Sequence, residues 1–159
     1  MVRAKVEAAF RHFLEKDAAL LAAQANERSV THRIAICIEE QFPGYNVDCE
    51  YNRNGLVPKR LETFKRRVDS ADDKGATVYP DIIVHHRGTA NNLLVIEAKL
   101  SSNHEACAGS TNCTCDLCKL RAYKAELGYT HAFYVVFPVG AMLTNFVESR
   151  LAECLVEIP

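Results

Sequence analysis

A mixed α/β sheet flanked by helices is the fold this sequence predicts, with a core in the order α-β-β-β-α-β and an extra N-terminal helix. Three observations carry that expectation. Apolar residues recur at helical spacing from Val2 to about Phe42; the stretch "YPDIIVHHRGTANNLLVIEAKL" reads as two apolar runs joined by a turn; and a later helical segment precedes the apolar run "HAFYVVFPV". At 159 residues, 48% hydrophobic and 25% charged, the chain is expected to form one domain over 1–159 that buries roughly 70% of the surface exposed by its unfolded form.

Val6, Phe10, Phe13, Leu14, Leu20 and Leu21 mark one face of a first helix running from Val2 to about Gln24. A second begins at Asn26, a favoured N-cap residue, buries Val30, Ile34, Cys37 and Ile38, and stops at Pro43-Gly44. "YNVDCEYN" alternates as a half-buried strand does, with Tyr45, Val47, Cys49 and Tyr51 on one face and Asn46, Asp48, Glu50 and Asn52 on the other. Asn54-Gly55 marks a turn, and residues 56–75 form a polar, basic excursion. Strands follow near 78–86 and 92–100 around a turn at Gly88, then a cysteine-bearing loop at 101–113, a helix from about Thr114 to Leu127, and a strand at 131–139. The remaining residues suit a helix through Phe146 and Leu151 and a short final strand.

With a formal net charge of −1, global electrostatics do not announce a nucleic-acid binder, so local placement carries the information. Neither a signal-peptide pattern nor a spanning apolar run occurs, which makes the cytoplasm the expected location and a membrane an unexpected partner.

Asp81, Glu97 and Lys99 border two strongly apolar runs, "DIIV" and "LLVIE". Side chains two apart on a strand share a face about 6.8 Å apart, so Glu97 and Lys99 project together while Ile96 and Ala98 face the other way. If the two strands pair, Asp81 approaches Glu97, and two carboxylates that close repel unless a cation or proton lies between them. Oxygen ligands from two acids and a backbone carbonyl suit Mg²⁺ (or Mn²⁺), which can activate a bound water and neutralise charge on a scissile phosphate. Lys99 is then placed to orient the attacking water. The plain alternative is a surface Glu–Lys pair at a strand end with an Asp following Pro in a turn, but strands of this apolarity are those covered on both faces.

Pro80-Asp81 and Glu97-Ala98-Lys99, separated by a short hairpin, resemble the PD-(D/E)xK nuclease superfamily, whose members share the restriction-endonuclease-like fold. The likeness extends over about residues 26–138, because the element order matches as well. It implies a metal held by Asp81, Glu97 and the carbonyl of Ala98, with Lys99 catalytic. Members often add an acid from the first core helix, for which Glu27 is the candidate and Glu50 a competitor; a first-turn Glu favoured by the helix dipole is the simpler reading of Glu27. Asp116, Lys119 and Leu120 are similar to the D-x-x-K-L helix opening of several branches, and Lys119 and Tyr123, four apart, share a helical face from which they reach a phosphate. The implied function is a metal-dependent nuclease, with DNA the favoured substrate and a homodimer or larger complex a candidate assembly. The rival is a noncatalytic nucleic-acid-binding or scaffold domain that keeps the fold.

Arg53, Lys59, Arg60, Lys65, Arg66 and Arg67, opposed only by Glu62, make a local basic excess suited to a phosphate backbone. His85 and His86 alternate faces, so at most one approaches the site, and packing is the commoner role for such residues. Among seven cysteines, Cys107, Cys113, Cys115 and Cys118 cluster near His104, with Cys115 and Cys118 at ligand-like spacing. A structural Zn²⁺ there competes with free thiols, while Cys37, Cys49 and Cys154 sit in apolar patterns as small core residues.

Overall fold

Two helices open the chain: α1 (Val2–Ala22) and α2 (Glu27–Gln41). The structure, a computed structural model, describes residues 1–64, 76–104, 116–140, 143 and 154–159. Asn26 caps α2 as its residue type predicts, its Oδ1 accepting the Ser29 N–H at 2.9 Å and so satisfying one of the four unpaired donors of the first turn. Val6, Phe10 and Phe13 of α1 and Val30, Ile34 and Ile38 of α2 are all buried, so both apolar stripes face the same core.

The strands are β1 (Asn46–Cys49), β2 (Arg53–Asn54), β3 (Val57–Pro58), β4 (Arg60–Leu61), β5 (Ala76–Thr77), β6 (Ile82–His85) and β7 (Asn92–Leu100). They are followed by α3 (Ser101–His104), α4 (Asp116–Leu127), β8 (His131–Phe137) and β9 (Leu155–Glu157). Five strands form the main sheet in the order β1-β6-β7-β8-β9; β7 and β8 are parallel and the other pairings antiparallel. This is a mixed α/β architecture, and the sheet is covered on both faces. Leu94, Ile96, Ala98 and Leu100 of β7 pack on the α1/α2 side, whereas Val95 joins Leu120 and Tyr123 of α4 on the other. By that alternation Glu97 and Lys99 belong to the α4 side.

Two features differ from expectation for identifiable reasons. The strand expected from 78 begins only at Ile82, because Pro80 has no N–H to give a ladder and Val78 instead bonds the Lys59 carbonyl. The alternation of "YNVDCEYN" breaks at Glu50, whose φ of 49° lies in the left-handed region. Tyr45, Val47 and Cys49 therefore pack with the α1/α2 core while Tyr51 joins the opposite one. Around the basic excursion, whose conformation the sequence leaves open, β2 pairs with β3 and β4 with β5 in short antiparallel ladders. A final strand is present as β9, while the helix expected through Phe146 and Leu151 falls outside the described residues. Among the described residues no helix is long and apolar enough to cross a membrane.

Candidate active site

Ile82 pairs with Ile96 across the β6–β7 ladder, so Asp81, one residue earlier, stands opposite Glu97. Asp81 Oδ2 accepts the Ala98 backbone N–H at 2.8 Å, which ties the acid to the segment between Glu97 and Lys99. Lys99 Nζ lies 3.0 Å from Glu27 Oε1 and 3.5 Å from Asp116 Oδ2. Asp116 in turn bonds Lys119 Nζ through Oδ1 at 2.6 Å, so this buried carboxylate bridges two lysines. The last residues of β7 and the first turns of α2 and α4 thus bring the site together, and Asp81, Glu97, Lys99 and Glu27 share it.

Glu97 is 2% exposed, and burial followed by the charge of Asp81 raises its pKa well above the carboxylate range. Burial also pushes Asp81 up to about 6, against the Ala98 N–H and Lys99, which favour its ionised form. Burial thus disfavours the ionised form of both acids, and of Glu97 the more strongly. Burial opposes the charge on Lys99, yet Asp116, Glu27 and Asp81 outweigh it and hold its pKa above that of an ordinary lysine. Lys119 behaves alike, with Glu97 and Asp116 overcoming burial.

Glu27 Oε2, Glu97 Oε1 and the Tyr123 hydroxyl are buried without a hydrogen-bond partner among the described residues. Buried carboxylate oxygens without partners are costly, and a cation is one group that satisfies them. Four carboxylates, from Asp81, Glu97, Glu27 and Asp116, face the ammonium groups of Lys99 and Lys119. When all are ionised, the excess of two negative charges equals the charge of one divalent cation. By charge and by oxygen chemistry, a hard divalent ion such as Mg²⁺ or Mn²⁺ would balance the set. Among the described residues no group of three or more His, Cys, Asp or Glu side chains is arranged to hold a metal ion on its own.

Beside these acids opens a cleft of about 450 Å³ lined by Asn26, Glu27, Arg28, Thr31, Glu50 and Asp81. Glu50, the competing acid, lies on its exposed rim and pairs with Arg28 rather than with Lys99. Arg28 carried no signal in the sequence, because a lone arginine in a first turn has no distinguishing spacing.

Lys59 departs from its expected place on a phosphate-binding surface. It is fully buried, donates to the Tyr129 hydroxyl at 2.7 Å and sits 5.7 and 5.2 Å from the Tyr51 and Tyr129 ring centroids. Burial pushes its pKa down to about 8. A cation enclosed by two tyrosines cannot meet a nucleic-acid backbone. Arg53 is exposed and Arg60 half-buried, while Lys65, Arg66 and Arg67 lie outside the described residues. Lys119, expected to reach a phosphate, is part-exposed and bound to Asp116 at the site. His85 is buried against Asp48 at 2.8 Å and His86 stacks on Tyr45, so neither joins the acids. Of the candidate zinc ligands, Cys107, Cys113 and Cys115 lie outside the described residues, and Cys118 is half-buried on α4.

No family model matches this chain, and comparison with curated proteins and with solved structures finds no match either.

Proposed function

We propose that this chain is a metal-dependent nuclease of restriction-endonuclease-like fold that hydrolyses phosphodiester bonds, with DNA as the favoured substrate. The observation that carries the reading is the meeting of Asp81, Glu97 and Lys99 at one end of the β6–β7 pair, with a buried oxygen of Glu97 left unpartnered. The order α2, β1, β6, β7, α4, β8, with β7 and β8 parallel, supports the fold side of the same reading.

Asp81 and Glu97, with the main-chain oxygen of Ala98, would hold the ion. When bound, such an ion supplies charge neutralisation at the scissile phosphate and acidifies a coordinated water. Lys99, kept protonated by Asp116 and Glu27, provides a fixed positive charge beside the two acids, where negative charge develops during phosphoryl transfer. Glu27 and Asp116 hold that ammonium from opposite sides of the sheet, limiting its freedom to pair with Asp81 or Glu97. The Tyr123 hydroxyl, buried near Glu97, is available to donate to it.

The test is incubation of purified protein with supercoiled, linear and single-stranded DNA and with RNA, each with and without Mg²⁺ or Mn²⁺. Metal-dependent cleavage is expected, and Asp81→Ala or Glu97→Ala should reduce it on the order of 10²-fold or more while the protein remains folded. Full activity in the folded double variant would remove this site from the chemistry. Metal-independent binding without cleavage of any substrate would favour the noncatalytic scaffold.

A further inference from the structure

The first turn of α2 carries two charged residues with opposite assignments. Glu27 turns inward to Lys99, and Arg28, its neighbour, reaches across the cleft to Glu50, Nε to Oε1 at 2.9 Å. The Arg28 side chain is 83% exposed and that of Glu50 47%, so the pair is solvated. Such pairs contribute little to stability, and a competing anion can break them at small cost.

Glu50 adopts its position through an unusual backbone. At φ 49° it leaves the strand alternation just after β1, and its N–H bonds the carbonyl of Pro80 at 3.0 Å, with that of Asp81 at 3.4 Å. The residue that occupies Arg28 is thus fastened by its main chain to the segment bearing Asp81. Left-handed conformations of residues other than glycine persist where the surroundings enforce them, often beside functional sites.

Charge in the cleft makes the consequence specific. Glu27, Glu50 and Asp81 line it, and Arg28 is the cation on that lining. Lys99 answers Glu27, and on the nuclease reading the ion answers Asp81. Glu50 and Arg28 remain as a matched pair at the rim, next to the path of any strand whose phosphate lies at the acids. A guanidinium binds a phosphodiester through two parallel N–H donors, and a displaced Glu50 carboxylate returns to water with little desolvation cost.

We propose that Arg28 is the clamp for a backbone phosphate flanking the one that is cut, and that Glu50 covers it until nucleic acid arrives and exchanges phosphate for carboxylate. The proposal rests on the nuclease reading of the neighbouring acids. It makes Glu50 a brake on binding and gives Arg28 and Glu50 an interdependence that a purely structural surface pair does not have.

The experiment is a double-variant cycle on the full chain, with binding of a fluorescent 16-mer duplex and its single strand followed by anisotropy in Ca²⁺, and cleavage followed separately in Mg²⁺. Arg28→Ala should weaken binding about 3- to 10-fold and reduce the logarithmic salt slope by roughly 0.9 on duplex, the value for one phosphate contact. Glu50→Gln should tighten binding by up to about fivefold, the range expected from freeing an exposed ion pair. In the Arg28→Ala background that gain should vanish, and Arg28→Lys should recover only part of the loss. Additive effects, or an unchanged salt slope in Arg28→Ala, would overturn the clamp. A parent that cleaves DNA while the cycle is additive leaves the nuclease reading standing without it; a parent that neither binds nor cuts any nucleic acid removes both.

Discussion

Burial raises the pKa of Asp81 to about 6 and, with the charge of Asp81 added, lifts that of Glu97 well above the carboxylate range, so on the nuclease reading a bound cation would relieve a desolvation cost. Mg²⁺ that binds only the folded state should raise stability, by about 2.7 kcal/mol at a hundredfold excess over its dissociation constant. Thermal unfolding of the parent should shift upward with Mg²⁺ and that of Asp81→Ala should not; an equal shift in both would place the ion elsewhere. Lys59 gives the second test at this scale. Its folded pKa of about 8 lies below the ordinary 10.5, a difference worth about 3 kcal/mol for a buried group. Between those values the unfolded chain binds the proton and the folded chain does not, so this group's contribution to stability rises with pH through that window; below pH 8 its full cost is present. Lys59→Met should therefore gain most relative to the parent near pH 7 and lose that relative gain by pH 10, offset throughout by the Tyr129 hydroxyl left without its donor. Urea unfolding at both pH values reads the difference, and a difference that does not change with pH would contradict the depressed pKa. Spacing alone placed Glu97 and Lys99 on one face, because period two survives any detail of packing. The burial of Lys59 was hidden: its neighbours in sequence are basic, while the tyrosines that enclose it, Tyr51 and Tyr129, are brought in by tertiary contacts.

At the level of elements, residues with one strong local preference were legible and residues overruled by their partners were not. Asn26 could be assigned as a cap from its type, and Asn26→Ala should cost about 1 kcal/mol in denaturant unfolding. Strand β7 was legible from Asn92 to Leu100 because a strand buried on both faces runs apolar from Leu93 to Ile96 before its first charged residue, Glu97. Glu50 was not, since nothing about a glutamate in an alternating run announces a left-handed φ. Replacing it tests the strain directly: Glu50→Gly should be about 1 kcal/mol more stable than Glu50→Ala, because only the glycine adopts that φ without a Cβ clash. Equal stabilities of the two variants would mean that the turn relaxes when the Arg28 pair is lost.

Across the whole molecule the site is assembled from segments far apart in the chain, Glu27 and Lys99 being 72 positions apart yet 3.0 Å in contact. Helix α4 supplies the other wall, with Leu120 and Tyr123 covering the face of β7 that carries Glu97. A chain ending at 115 keeps Asp81, Glu97 and Lys99 in sequence but lacks α4 and the β8 partner of β7. It should show no Mg²⁺-dependent gain in stability and no cooperative unfolding, measured by circular dichroism during heating; a cooperative, metal-stabilised fragment would mean the acids need no cover.

The parallel pairing of β7 with β8 also sets an order of events during synthesis. A hairpin partner such as β6 is available as soon as β7 leaves the ribosome, but a parallel neighbour comes only after a crossover, here the stretch that includes α4. Residues Asp81 through Lys99 therefore emerge well before the helix that encloses them and the strand that completes their sheet. On the nuclease reading, a half-made chain carries every ligand and yet no finished site, so a protein able to cut the cell's own nucleic acid becomes competent only after release of its last core strands.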